Sequence, residues 1–545
     1  MSELTIIKGV KVRRKVDIEV DRHLKGNGNM RIGNIYLSDE QQHAVDSVME
    51  FIEGDPKWDK KFALTLSGSA GTGKTMTTRA IVIMLKKKDI KFALSAPTHK
   101  AKLVLSRYAG VEADTMHSLF GLSPNMDVED FDWKNIKFNL EERAREIMRE
   151  SLFGPMDDDS KKGKKKEKKK FKLPVGGLLI IDECSMINDN FFSFIYKMSM
   201  MCKVKILFVG DEKQLQPVKA DRKSMCFHSN DVGQLRLTSI FRQDGESALV
   251  PLLATLRDKP IFHFDTKESE RGSVYSWTDT KARIVKPYVD MLKIAMPKMD
   301  TSVGKIICYT NAGVDMYNKN VRKYLFRDVD TNKVPYVKGE FLVGEENMEY
   351  NGFMIYNSLE YVVTDKPVKS EIDVPFISRT FKVLVLPLYD VQEQTHLYIS
   401  IMMRSMNSAD LIDEYARVLE QKRNAAIAID KRQYLARAAA WSEYYSVLKA
   451  FASDTDIQYG SRTVKKRSFN YGYAITTYKS QGSGYTNVFV DMDDIALARD
   501  NEMFRQHEYV ALSRTRKDAY IYYSEKCLNN LLYQTISNDT ADTQQ

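Results

Sequence analysis

The chain has 545 residues, 43% of them hydrophobic, which suits several domains with real cores rather than a disordered chain. Its net charge of +9 hints at a polyanionic partner, but Lys161 to Lys172 alone holds nine Lys and one Glu, a net +8 that leaves the rest at +1. Five cysteines without a C-x-x-C pair, no apolar run of membrane-spanning length and no signal-peptide core speak against disulfide, zinc, membrane and secretory classes, with reduced intracellular thiols and a cytoplasmic setting as the expectation.

Met1 to Tyr36 is polar and charged and reads as an arm or an added β-element. Leu37-Ser-Asp-Glu-Gln-Gln follows as a helix start, with Ser38 as N-cap and Gln41 three residues on as its capping-box partner. Next comes the strongest signal in the chain. Leu64 to Ser67 reads as a short apolar strand, Gly68 to Gly73 as a glycine loop, and a helix is expected from Lys74. Gly68-Ser69-Ala70-Gly71-Thr72-Gly73-Lys74-Thr75 fits G-x-x-x-x-G-K-[ST] at every fixed position. Glycines let successive N–H groups turn toward one phosphate chain, and the helix adds its positive N-terminus. Lys74 can reach the β/γ-phosphates and Thr75 can offer its hydroxyl to Mg²⁺. A nucleoside triphosphate, ATP with Mg²⁺, is therefore the expected ligand.

Phe92 to Pro97 reads as a second strand, ending in Thr98-His99-Lys100, a set suited to a nucleic-acid backbone, although a lone His99 more often sits on an ordinary surface. Thr115 to Phe120, with His117, reads as a short helical piece. From Gly121 to Gly177 the pattern becomes an insertion: an acidic aromatic stretch, a charged helix over 140–152 and the lysine-rich segment. That segment reads as a solvated linker, a localisation signal or a mobile arm gripping duplex phosphates.

Gly177 to Glu183 is an apolar strand delivering two carboxylates at its C-terminal end, where open α/β sheets bind ligands. Asp182 suits the Mg²⁺ shell and Glu183 a water-orienting base. Lys205 to Asp211 repeats the strand pattern and brings Gln214 toward the same edge. The second half carries strand-like 305–311 and 486–491, a hydrogen-bonding turn over 473–482, and two arginines in Tyr509-Val-Ala-Leu-Ser-Arg-Thr-Arg516. It has no phosphate loop of its own, so a site between two α/β halves is expected, an arginine from the second neutralising the transferred phosphate.

The ordered series LSDEQ, GSAGTGKT, APTHKAK, TMHSL, IIDECSMI, GDEKQLQPV, LTSIFRQ, CYTN, TTYKSQGSGYTNV and YVALSRTR resembles the RecD/Dda-like, or 1B, branch of superfamily 1 helicases over nearly the whole chain. The resemblance implies two RecA-like parallel-sheet domains, 1A (37–120 and 178–235) and 2A (236–330 and 470–545). It also implies a pin subdomain 1B (121–177) and an SH3-like subdomain 2B (331–469) with a helical tower over 408–452. It implies that Gln41 reads adenine with Phe241 stacked on it, that Lys74, Glu183, Gln214, Arg242 and Arg514 act in hydrolysis, and that Thr75 and Asp182 hold Mg²⁺. Thr98, His99, Lys100, His117, Thr477 and Ser480 fall in its DNA-contacting motifs. The implied activity is 5′→3′ translocation on single-stranded DNA with duplex unwinding, in phage replication or recombination. The implied partners are single-stranded DNA, forked duplex and a single-strand-binding protein, with the enzyme a monomer. An RNA-directed helicase of the same superfamily and a non-enzymatic scaffold are the alternatives. Tyr478 stands where the family usually has His, and Gln216 where it has Pro.

Overall fold

The computed structural model describes residues 29–33, 35–58, 61–120, 173–217, 223–239, 247–430 and 433–525, with parts of a helix within 141–149. The lysine-rich segment, most of the insertion before it, and Phe241 and Arg242 lie outside the described residues.

A two-residue antiparallel ribbon, Arg31–Ile32 against Ile35–Tyr36, leads into helix α1 (Asp39–Glu53). Six parallel strands then form the first sheet: β1 (Ala63–Gly68), β2 (Phe92–Ala96), β3 (Asp114–Thr115), β4 (Leu178–Ile181), β5 (Lys205–Gly210) and β6 (Val232–Leu237). Their spatial order is β3-β2-β4-β5-β1-β6. Helices α2 (Lys74–Lys87), α3 (His99–Ala109), α4 (Met116–Leu119) and α5 (Asp189–Met201) connect or follow them. Alternation along the strands divides the core. Leu64, Leu66, Ile180 and Leu207 pack with Val48, Ile81 and Leu105 of α1–α3, whereas Ala63, Leu179, Ile181 and Phe208 pack with Phe191, Phe194 and Met198 of α5. Both faces of the sheet are thus covered by helices, as the continuous apolar runs of β4 and β5 require.

The second half opens with β7 (Val274–Trp277), β8 (Gly304–Cys308) and helix α6 (Asn311–Leu325). A largely antiparallel sheet follows: β9 (Phe341–Gly344), β10 (Glu360–Val363), β11 (Val368–Asp373), β12 (Thr380–Asp390), β13 (Thr395–Met402), β14 (Ala452–Ser453) and β15 (Phe469–Tyr471). Between β9 and β10, Met348–Tyr350 and Phe353–Ile355 pair across a tight turn. Asn351 (φ 51°) and Gly352 (φ 82°) supply the left-handed pair this hairpin needs. Helices α7 (Ala409–Ala428) and α8 (Tyr434–Leu448) form a hairpin whose base joins the core of this sheet, Tyr415 meeting Phe381 and Phe451. The chain then returns through β16 (Ala474–Thr476), α9 (Thr477–Ser480), β17 (Tyr485–Asp491), α10 (Asn501–Ser513) and β18 (Thr515–Tyr522). Strands β16-β8-β17-β18-β7, all parallel, complete the second sheet. The fold is therefore α/β with two RecA-like parallel sheets, the antiparallel sheet being a single excursion from the second. Among the described residues no helix is long and apolar enough to cross a membrane.

Candidate active site and nucleic-acid groove

The phosphate loop leaves the C-terminal end of β1, and α2 starts at Lys74 as its glycines require. Gly73 has φ 83°, and a Cβ there would lie 2.2 Å from Gln41 Nε2, so the position excludes a side chain on both counts. Lys74 Nζ donates to the carbonyls of Gly68 (2.7 Å) and Ser69 (3.0 Å), which keeps its charge inside the loop. Thr72 Oγ1 donates to Ser69 O at 2.9 Å and braces the curl. Ser69 Oγ, Gln214 Oε1 and Gln481 Nε2 are buried and have no hydrogen-bond partner among the described residues. Such atoms are costly unless a polar ligand satisfies them.

Gln41 has two roles visible at once. Its Oε1 accepts from Ser38 N–H (3.1 Å) and Ser38 Oγ accepts from Gln41 N–H (3.3 Å), completing the capping box. Its Nε2 meanwhile donates to Thr72 O at 3.1 Å, joining α1 to the phosphate loop. Beside it, the Glu40 carboxylate accepts from the N–H groups of Thr238 (2.8 Å) and Ser239 (3.0 Å), just before the segment holding Phe241 and Arg242.

Asp182 and Glu183 follow β4. Glu183 N–H donates to Asp182 Oδ1 at 2.9 Å, and Glu183 takes a left-handed φ of 53°. Desolvation and the neighbouring Glu183 raise the Asp182 carboxyl pKa, with Lys74 acting in the opposite direction. The adjacent carboxylates of Asp182 and Glu183 are hard oxygen donors of the kind Mg²⁺ prefers. From the second half, the 481–484 turn closes on this edge: a Cβ at Gly482 would lie 3.8 Å from Glu183 Oε1 and 3.5 Å from Ala101 Cβ. Arg514 caps α10; its guanidinium donates to Val510 O (3.1 Å), Ser513 Oγ (3.0 Å) and Ser483 O (3.4 Å). Tyr509, on the same helix, reaches the phosphate loop itself: Ala70 N–H donates to its hydroxyl at 3.1 Å.

On the other side of the β2 end lies a groove of about 780 Å³ between the two parallel sheets and the antiparallel one. Thr98, His99, Thr115 and His117 line one wall, Asn311 and Lys479 another, and Asn347, Asn357, Lys466 and Arg467 the third. Thr98 Oγ1 caps α3 by accepting from Ala101 N–H at 3.1 Å. The His99 ring lies 4.0 Å from that of Tyr356, and burial first, then Lys102 and His117, bring its pKa down to about 4. His99 is therefore neutral at physiological pH and offers a ring rather than a charge. His117 stacks on Phe191 at 5.7 Å.

Three of the residues expected to touch nucleic acid are placed elsewhere. Lys100 is buried, its Nζ 3.3 Å from Tyr485 Oη and 3.9 Å from Glu360 Oε1, so it faces the domain junction. Thr477 is fully buried with Oγ1 2.6 Å from His507 Nδ1, and Ser480 Oγ donates to Thr477 O at 2.7 Å. These two shape the turn between β16 and β17 instead of lining the groove. Tyr478 sets its ring edge-on to His507 at 5.3 Å. Sequence reading missed Lys466, Arg467 and Lys479 as groove cations, although Lys479 lies within the quoted motif TTYKSQGSGYTNV.

Residues 36–271 match the AAA domain family and 471–522 the UvrD-like helicase C-terminal domain. The chain is 27% identical over 315 residues to the ATP-dependent DNA helicase dda of Enterobacteria phage T4, covering 57% of this chain and 61% of that one. These matches make the chain similar to the RecD/Dda-like branch of superfamily 1. The RecBCD enzyme subunit RecD of Buchnera aphidicola subsp. Schizaphis graminum is 31% identical over 196 residues, 34% of this chain and 28% of that one. An uncharacterized protein, R530, of Acanthamoeba polyphaga mimivirus is 24% identical over 537 residues, 87% of this chain and 97% of that one. The matched stretch thus spans less than two thirds of the phage helicase, whereas the mimivirus protein aligns almost end to end.

Proposed function

We propose that this protein is an ATP-dependent DNA helicase that moves 5′→3′ on single-stranded DNA and opens duplex ahead of it. What supports the reading most is that the strand end bearing Thr98 and His99 adjoins both the nucleotide edge and the groove, so a change at one reaches the other through one short segment. The phage relative is an ATP-dependent DNA helicase, which is consistent with the ATP-driven, DNA-directed part of this reading.

In this reading the loop N–H groups and Lys74 receive the β- and γ-phosphates, and Gln214 and Arg514 face the terminal phosphate from two sides. Arg242 joins them from the segment after Thr238 and Ser239, which Glu40 holds. Glu183 orients the attacking water. Mg²⁺, when bound through Thr75 and Asp182, supplies charge neutralisation on the phosphates. Gln41 has both amide ends engaged by Ser38 and Thr72, so adenine reading with Phe241 would require exchange of one of those bonds. The strand lies in the groove against Thr98, His99 and His117, with Lys100, Thr477 and Ser480 holding the walls from behind. Residues 121–177 serve as a pin subdomain 1B, 331–469 as an SH3-like 2B with α7–α8 as its tower, and the enzyme works as a monomer beside a single-strand-binding protein in phage replication or recombination.

The first test is ATP hydrolysis by wild type and Lys74→Ala with and without single-stranded DNA. Wild type should be strongly stimulated by DNA and less by RNA, and Lys74→Ala should be inactive while staying folded, because the main loss is phosphate charge stabilisation beside two hydrogen bonds within the loop. Wild-type turnover in Lys74→Ala would remove the site.

A further inference from the structure

Tyr509 is buried, with 1% of its surface exposed, and its hydroxyl makes two bonds that join the two parallel-sheet halves. Ala70 N–H donates to it at 3.1 Å, and it lies 2.8 Å from Asp211 Oδ2. Donor and acceptor roles follow from the chemistry. A backbone N–H only donates and a carboxylate only accepts, so the single hydroxyl proton goes to Asp211 and a lone pair faces Ala70. Burial, reinforced by the Asp211 charge, raises the Tyr509 pKa and keeps that proton in place. Asp211 is itself 1% exposed and accepts from Lys213 N–H at 3.1 Å, which fixes its carboxylate at the end of β5. The result is one rigid polar chain from phosphate loop to β5 through the second half.

Helix α10 carries both Tyr509 and, at its C-terminal cap, Arg514. The Arg514 guanidinium is held by that helix's own Val510 and Ser513 and by Ser483, so wherever α10 goes the arginine goes too. Tyr509 is the residue of α10 that docks on the phosphate loop.

We propose that Tyr509 is a positioning residue for ATP hydrolysis: its hydroxyl, held between Ala70 and Asp211, sets the distance from α10 to the phosphate loop and thereby aims Arg514 at the terminal phosphate. The inference rests on the proposed role of Arg514. It separates Tyr509 from a residue that merely fills the interface, because Phe fills the same space and loses only the two bonds.

The test is a double-mutant cycle on the full chain, reading DNA-stimulated kcat, KM for ATP and the unfolding midpoint. Tyr509→Phe should lower kcat about tenfold or more, leave KM within about twofold and unfold near the wild-type temperature. In the Tyr509→Phe background, Arg514→Ala should cost far less than it does in wild type, since the arginine is already misplaced. Normal kcat in Tyr509→Phe, or additive losses in the double variant, overturns the inference while leaving the helicase reading intact. Normal kcat in Arg514→Ala overturns the arginine's role and this inference with it. If Tyr509→Phe does not fold, Asp211→Asn, which keeps the shape and removes the charge orienting the hydroxyl, goes through the same cycle with the same expected and contrary results.

Discussion

Lys100 Nζ lies 3.9 Å from Glu360 Oε1, and this ion pair joins helix α3, which begins at the groove, to the first residue of β10 in the antiparallel sheet. Lys305, from β8, approaches the same oxygen at 2.9 Å, and Thr301 Oγ1 donates to Glu360 Oε2 at 2.9 Å. One buried carboxylate is therefore shared by three structural units.

Burial alone would raise the Glu360 carboxyl, but Lys100 and Lys305 override it and hold its pKa at about 2. A carboxyl with a folded pKa below its unfolded value stabilises the fold above the unfolded pKa, and loses that contribution as pH falls toward the folded one. Glu360→Gln should cost about 3–5 kcal/mol at pH 7, because it leaves two buried ammonium groups without the carboxylate charge that compensates them. The difference from wild type should shrink between about pH 4.5 and 2. Denaturant unfolding of both proteins at pH 7 and pH 3 checks it; an equal difference at both would mean the charge is not what matters.

Gln41→Glu separates the two jobs of that side chain. The carboxylate still accepts from Ser38 N–H, so the helix cap survives, but it cannot donate to Thr72 O and instead repels that carbonyl. KM for ATP should rise several-fold with a stability loss of about 1 kcal/mol, the scale of one hydrogen bond. An unchanged KM would show that the Thr72 bond does not shape the loop for nucleotide.

Lys479 is paired with Glu345 inside the groove. Incoming phosphate competes with that carboxylate. Glu345→Gln should tighten single-stranded DNA binding and steepen its dependence on salt. Lys479→Ala should weaken binding and flatten the log–log slope by about 0.7, the value for one phosphate contact on a single strand. Titration by fluorescence anisotropy across a salt series decides; identical slopes in all three proteins would take Lys479 out of the nucleic-acid interface.

How far the sequence disclosed this arrangement depends on the range over which each feature is determined. The strand-loop-helix around Lys74, the capping box at Ser38 and Gln41 and the carboxylates after β4 are set by neighbours a few residues away, and their residues state them. Lys100 shows the limit. A lysine after Thr-His at a strand end suits phosphate, but which face of α3 it takes depends on Glu360, far along the chain and in another sheet. Thr477 is similar: its partner His507 lies 30 positions away, and no local pattern shows the pair. Ala70 and Tyr509 are 439 positions apart, so the bond that closes the two halves could not be read before the fold was known.

The most direct measurement of the central claim is unwinding of three labelled duplexes, one with only a 5′ single-stranded tail, one with only a 3′ tail and one blunt, with ATP and Mg²⁺. The account predicts strand separation from the 5′-tailed duplex alone, none without ATP and none by Lys74→Ala. Equal or preferential unwinding from the 3′ tail would contradict the direction, and no unwinding of any duplex by a protein that hydrolyses ATP would contradict the helicase itself.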